Sequence, residues 1–195
     1  MNDLETKRLN YPRVSEIISP FTRKDYENIS LETLVHAAER GTKVHAYCTG
    51  IALGEWVPEI EEECKPYVES FQKWFSENVK TTIAVEEATY DDELMFKSNG
   101  FDMIVQIKDS EEHVLIDLKT SANPSKSWPI QLAAYHHLVN LHGYDITSVA
   151  NIHLKKSGAI GKEVNAAMDV SKDWEIFKQA LNLYNHFIRK EAPNA

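Results

Sequence analysis

The chain has 195 residues, 43% of them hydrophobic, and a formal charge of −9. That length and apolar content suffice for one buried core, so a single compact domain is expected. The negative charge excludes a protein that coats nucleic acid by bulk electrostatics, which needs many lysine and arginine contacts to phosphate.

In chain order, the first clear element is a helix over 31–53, with Ser30 as N-cap and Leu34, Ala38, Gly41, Val44, Cys48 and Ile51 at helical spacing. His45 lies beside this stripe. A second helix is predicted from about Glu59 to Val79, with Ile60, Cys64, Tyr67, Phe71, Trp74 and Phe75 on one side. Its acidic start, Glu59 to Glu63, suits a helix N-terminus. The period then changes. Segments 81–90, 94–98, 101–108 and 113–120 are short and β-prone, and the groups between them (Asp91-Asp92, Asn99-Gly100 and 109–112) are turn formers, which reads as an antiparallel meander. After a loop over 121–129 come a helix over 130–142, a strand over 148–154, and a final helix starting near Ser171 that carries Trp174, Phe177, Leu181, Tyr184 and Ile188.

Several of these elements carry polar residues where a core takes apolar ones: His45 on the first helix, Glu86 in the first strand, Asp102 in the third, and Asp117 with Lys119 in the fourth. Strand side chains alternate, so Asp117 and Lys119 share a face while Ile116 and Leu118 take the other. Charges amid so much Val, Leu and Ile are costly unless something compensates them. A structural ion pair would explain an isolated Asp117 and Lys119, but one lysine cannot neutralise three acids. Carboxylate oxygens with one imidazole suit Mg²⁺ or Mn²⁺, and metal-dependent phosphodiester chemistry would account for all of them. Gln131 and Tyr135 form an i, i+4 pair on the following helix. Arg40 and Lys43, then Lys119 and Lys126, then Lys155, Lys156 and Lys162 are the basic residues that flank the acidic strands.

These residues resemble the motifs of the PD-(D/E)xK nuclease superfamily, in particular its RecB-like and phage-exonuclease branch. GxxxH is matched by Gly41 to His45, the strand glutamate by Glu86, the aspartate after a glycine turn by Asp102, DxK by Asp117-Leu118-Lys119, and QxxxY by Gln131 to Tyr135. One departure and one ambiguity stand out. Gly100 lies two residues before Asp102 where the family usually has three, and Glu87 adjoins Glu86, so a one-residue shift would exchange the two faces.

The resemblance implies an α/β fold with a restriction-endonuclease-like core (α, antiparallel-to-mixed β-sheet, α, β) and added N- and C-terminal helices. One nuclease domain would fill 1–195, with its core at about 31–156. By resemblance, His45, Asp102, Asp117 and the Leu118 carbonyl hold Mg²⁺ or Mn²⁺, and Glu86 is a further ligand or water partner. Lys119 polarises the attacking water, while Gln131 and Tyr135, with Arg40 and Lys43, support the lysine or grip DNA. The implied activity is a deoxyribonuclease, exonuclease before endonuclease, acting on DNA ends or single strands in phage-type recombination or DNA processing. The same resemblance allows a homo-oligomer or a recombination partner protein. The alternative is a catalytically silent protein of this fold that binds DNA or a protein partner. The charged start from Met1 to Arg8, and no apolar run near the roughly 18 residues of a membrane span, predict a cytoplasmic protein of a bacterial or phage-infected cell, without membrane association. Cys48 and Cys64 lack zinc-site spacing and are expected to be reduced core residues.

Overall fold

In the computed structural model, which describes residues 3–189, five strands form one mixed sheet in the order β1 (Val79–Val85), β4 (Met103–Ile107), β5 (His113–Lys119), β6 (Ser148–His153) and β7 (Lys162–Ala167). Two short helices, α1 (Asp3–Leu9) and α2 (Val14–Thr22), precede the long helix α3 (Leu31–Leu53). Ser30 caps α3 by accepting from the Thr33 N–H at 3.2 Å, and Gly54, at φ 68°, ends it in the left-handed conformation that favours glycine. Helix α4 spans Lys65–Asn78, six residues shorter at its start than the acidic run suggested. The Glu61 carbonyl accepts from the N–H groups of Cys64 and Lys65, a tight turn that precedes the helix. Pro66 then sits in the first turn, where its missing N–H costs nothing.

Strand β1 (Val79–Val85) pairs antiparallel with β4 (Met103–Ile107), and β4 pairs antiparallel with β5 (His113–Lys119). The continuous meander expected over 81–120 is broken. Residues Thr89–Asp91 (β2) and Phe96–Ser98 (β3) leave the sheet as a separate two-stranded hairpin. Helix α5 (Ser127–Leu141) then makes the crossover required to lay β6 (Ser148–His153) parallel to β5. An unanticipated strand, β7 (Lys162–Ala167), pairs antiparallel with β6 at the sheet edge, and α6 (Ser171–Phe187) closes the described chain.

The sheet is covered on both faces. Val44, Cys48 and Ala52 of α3 and Tyr67, Phe71 and Trp74 of α4 pack against Met103, Val105, Ile116, Leu118, Ala150 and Ile152. On the other face, Leu132 and Val139 of α5 pack on Ala84, Ile104, Leu115 and Val149. The outer side of α5, through Ala134 and Leu138, meets Val14, Ile17 and Ile18 of α2, Phe96 of β3, and Phe177 and Leu181 of α6. A mixed sheet flanked by helices on both faces is the restriction-endonuclease-like architecture that the motifs implied. Cys48 and Cys64 are buried and unpaired, as expected.

Candidate active site

The parallel strands β5 and β6 end at the same edge of the sheet, and the polar residues gather there. Leu115 belongs to the α5 face, while Ile116 and Leu118 belong to the α3/α4 face. Asp117 and Lys119 therefore face α5. Lys119 Nζ donates to Asp117 Oδ2 at 2.6 Å and to Gln131 Oε1 at 2.7 Å. Gln131 in turn donates through Nε2 to the Tyr135 hydroxyl oxygen at 2.8 Å. The i, i+4 pair on α5 thus clamps the lysine head, and the Trp128 ring lies 5.9 Å from it.

Asp102, in the turn before β4, joins this edge to α3. Its Oδ2 accepts from the Leu118 N–H at 2.5 Å, and its Oδ1 lies 2.9 Å from His45 Nδ1. The three groups are electrostatically linked. Burial alone lowers the His45 imidazole, but the charge and hydrogen bond of Asp102, and then the charge of Asp117, hold it above its ordinary value. Burial raises Asp102, yet His45 and the Leu118 N–H bring it below the usual carboxylate range. For Asp117, burial is only partly offset by Lys119 and is reinforced by Asp102, so its carboxyl sits above that range.

Glu86 follows β1 at φ 48°, a left-handed conformation that costs a non-glycine residue roughly 1–2 kcal/mol. This turn takes Glu86 out of the strand's alternation. Its Oε1 accepts from the Thr49 hydroxyl at 2.9 Å, one helical turn beyond His45 on α3. Glu87 is directed elsewhere, accepting from the Tyr144 hydroxyl at 2.6 Å. Of the two glutamates, Glu86 is the one turned toward the helix of His45.

Arg40 and Lys43 are not brought into this network. Lys43 donates to Glu61 at 2.6 Å, and the Arg40 guanidinium lies 5.0 Å from the centre of the Tyr67 ring, its buried Nε without a partner. Two residues outside the motifs do belong to the network. Asn151, fully buried and opposite Asp117 in the β5–β6 register, donates through Nδ2 to Asp117 Oδ2 at 2.5 Å. His153, opposite Lys119, is buried against Trp128 and pairs through Nε2 with the Ser121 carbonyl at 2.7 Å, tying down the loop that leaves β5. The signal was an Asn-x-His pattern two residues apart on β6, the same spacing as Asp-x-Lys on β5. It becomes legible once the strands are known to be parallel.

Among the described residues, no three His, Cys, Asp or Glu side chains are gathered at ligand spacing around one point. The carboxylates are turned onto the chain's own donors. Their chemistry nonetheless fits a hard divalent cation: two carboxylates and an imidazole, with a burial cost on charged Asp117 that Lys119 only partly offsets and that a cation would relieve. Cys48, one turn along α3 from His45, offers no soft thiolate, because burial and then Asp102 hold its thiol well above the ordinary value.

A model of the PD-(D/E)XK nuclease superfamily matches residues 14–188. Among solved structures, the chain is similar to one described as "Putative exonuclease" from Eubacterium rectale, with 11% identity over 99% of this chain and 93% of that one, at a TM-score of 0.47. No curated protein matches the sequence.

Proposed function

The chain belongs to the PD-(D/E)XK nuclease superfamily, and from that premise we propose that it hydrolyses DNA phosphodiesters with Mg²⁺ or Mn²⁺ at the edge formed by His45, Asp102, Asp117 and Lys119. The observation that carries this reading is Lys119, held between Asp117 Oδ2 at 2.6 Å and Gln131 Oε1 at 2.7 Å. A lysine needed only to neutralise Asp117 has no use for the second clamp. A lysine that must aim at a water molecule does, since a displacement of the catalytic group by about 1 Å costs on the order of 100-fold in rate.

In this reading Asp102 and Asp117 hold the cation, together with His45 and the Leu118 carbonyl, and Glu86 is a further ligand or water partner. When bound, such an ion acidifies water and offsets charge building on the phosphate oxygens. Lys119 orients the attacking water and donates to the phosphate, while Gln131 and Tyr135 keep its ammonium group at the edge. Arg40, whose guanidinium lies 5.0 Å from the centre of the Tyr67 ring, is assigned to the DNA backbone through its terminal nitrogens. Attack from a DNA end, hence exonuclease action in recombination or DNA processing, is the favoured mode, because the motif order resembles the RecB-like and phage-exonuclease branch. The activity is assigned to one domain over 1–195, with its core at about 31–156, working in the cytoplasm of a bacterial or phage-infected cell. No helix among the described residues is long and apolar enough to cross a membrane.

The test is incubation of the purified chain with linear duplex and single-stranded DNA in Mg²⁺, in Mn²⁺ and in chelator. Degradation is expected only with metal, and Asp117→Ala and Lys119→Ala are each expected to slow it by at least about 100-fold. No degradation in either metal, or variants as active as the wild type, overturns the mechanism. Cleavage lost in Asp117→Ala with DNA binding retained is the pattern expected of a nuclease whose grip on DNA lies outside the carboxylates.

A further inference from the structure

The Asp117 oxygen that accepts from Lys119 is also held by a chain of two amides that reaches the edge strand β7. Asn165 Nδ2 donates to Asn151 Oδ1 at 2.8 Å, and Asn151 Nδ2 donates to Asp117 Oδ2 at 2.5 Å. Direction is built into this chain. A carboxylate only accepts, so Asn151 must present its Nδ2 to Asp117, which leaves Oδ1 for a donor from β7.

The backbone of β7 is shaped to supply that donor. Val149 pairs with Ala167, but Asn151 pairs with Val164, so Asn165 and Ala166 together stand against the single residue Ala150. This is a β-bulge, and Asn165 sits in it at φ 55°. Glycine is the residue most at ease in that conformation, and asparagine is among the few others that adopt it readily. None of the β7 residues is fully buried, Asn165 included. What the bulge does is aim the Asn165 amide at Asn151.

We propose that Asn151 is a positioning residue for Asp117, and that Asn165, delivered by the bulge in β7, fixes the direction in which Asn151 donates. The proposal rests on the reading of Asp117 as a metal-holding carboxylate. With one oxygen pinned by Lys119 and Asn151, the carboxylate has a single orientation to offer a cation, and partners of this outer kind are worth about 10–100-fold in metal affinity.

The experiment is Mn²⁺ binding by calorimetry on the full chain without DNA, with thermal unfolding in chelator as the control for folding. Asn165→Asp keeps the size of the side chain and tolerates the left-handed backbone, but can only accept. It therefore turns Asn151 around, setting Oδ1 against Asp117. Asn165→Gly keeps the bulge and simply deletes the donor. Asn165→Asp is expected to weaken Mn²⁺ binding by about tenfold and Asn165→Gly by less. An added carboxylate acting only through its charge would strengthen cation binding, and a residue needed only for the bulge would leave both variants like the wild type. Asn151→Leu is expected to weaken binding most, and the two Asn165 variants keep the test decisive if that one does not fold. Asn165→Asp binding Mn²⁺ no more weakly than Asn165→Gly overturns the relay while leaving the metal reading intact. A wild-type chain that binds no Mn²⁺, or an Asp117→Ala variant that binds it equally well, overturns both.

Discussion

Gly100 has no side chain because the backbone of Glu86 occupies the space one would need. A Cβ there would stand 3.2 Å from the Glu86 carbonyl carbon and oxygen and 3.3 Å from its Cα. The Glu86 N–H donates to the Phe101 carbonyl at 2.9 Å, so the turn before Asp102 and the turn after β1 are clasped together. The displaced glycine of the motif therefore serves the close approach of two site-bearing turns. Gly41 is different: a Cβ on it would meet the Thr120 hydroxyl at 3.2 Å, and a hydroxyl can rotate away where a backbone cannot. Gly100→Ala is accordingly expected to cost about 1–3 kcal/mol, as overpacking does. Gly41→Ala, which gains helix propensity worth up to about 1 kcal/mol, should be neutral or stabilising. Urea unfolding of both variants checks this, and equal losses would remove the distinction. At this scale the charged residues could be read in the sequence because a lone acid or lysine interrupts an apolar run. Asn151 could not, since a neutral amide between Ala150 and Ile152 carries no such mark and its role depends on a register that only the fold creates.

Among the elements, α3 was legible to the residue, because a serine cap and a long apolar stripe agree on its bounds. The start of α4 is ambiguous in the sequence because acidic residues mark helix starts and turns alike, and only Pro66 distinguishes them. Strand β7 leaves no pattern in the sequence because it has no buried face: its alternation is broken by the bulge and by Lys162 and Glu163. The attachment of α1 to the β2–β3 hairpin is also tertiary. Arg8 forms a bidentate pair with Asp92, at 2.9 Å through Nε and 2.5 Å through Nη2, and Tyr11 adds its hydroxyl to the same carboxylate at 3.2 Å. Lys97 of β3 donates to the carbonyls of Arg8 and Leu9 at the end of α1. The hydrogen bond from Arg8 holds Asp92 below the usual carboxylate range, despite some desolvation. A carboxyl depressed in the folded state contributes stability that is present above its ordinary value, near 3.9, and is lost as pH falls through the lowered one. Amide exchange in α1 should therefore be pH-independent in its protection from neutrality down to about pH 4 and lose protection below it. In Asp92→Asn that acid step should vanish and protection should be lower throughout. An acid step unchanged by the substitution would assign it to another carboxylate.

For the whole molecule, the question is how a chain of charge −9 holds a polyanion. The candidate cations around the acidic strands are few, and several are already engaged. Lys119 is held by Asp117 and Gln131, Lys155 lies 3.1 Å from His153 Nδ1, and Lys43 is paired with Glu61. The Arg40 guanidinium lies 5.0 Å from the centre of the Tyr67 ring with its Nε buried, so its terminal nitrogens are the part left for a phosphate. Each phosphate neutralised on duplex DNA adds about −0.9 to the slope of log K against log salt. Three or four phosphate contacts would give a slope of about −3 to −4, well short of the roughly −10 of a repressor that makes many. At a charge of −9 the surface as a whole offers DNA little attraction, and a divalent cation held by the carboxylates would add positive charge where the substrate phosphate must sit. Measured with the Asp117→Asn variant, whose cleavage should be too slow to interfere, duplex binding is expected to show this shallow slope, and Arg40→Ala should reduce it by about one unit. A slope near −8 would mean that a basic surface other than the β5–β6 edge carries the DNA, and the active edge would then need a separate route to its substrate.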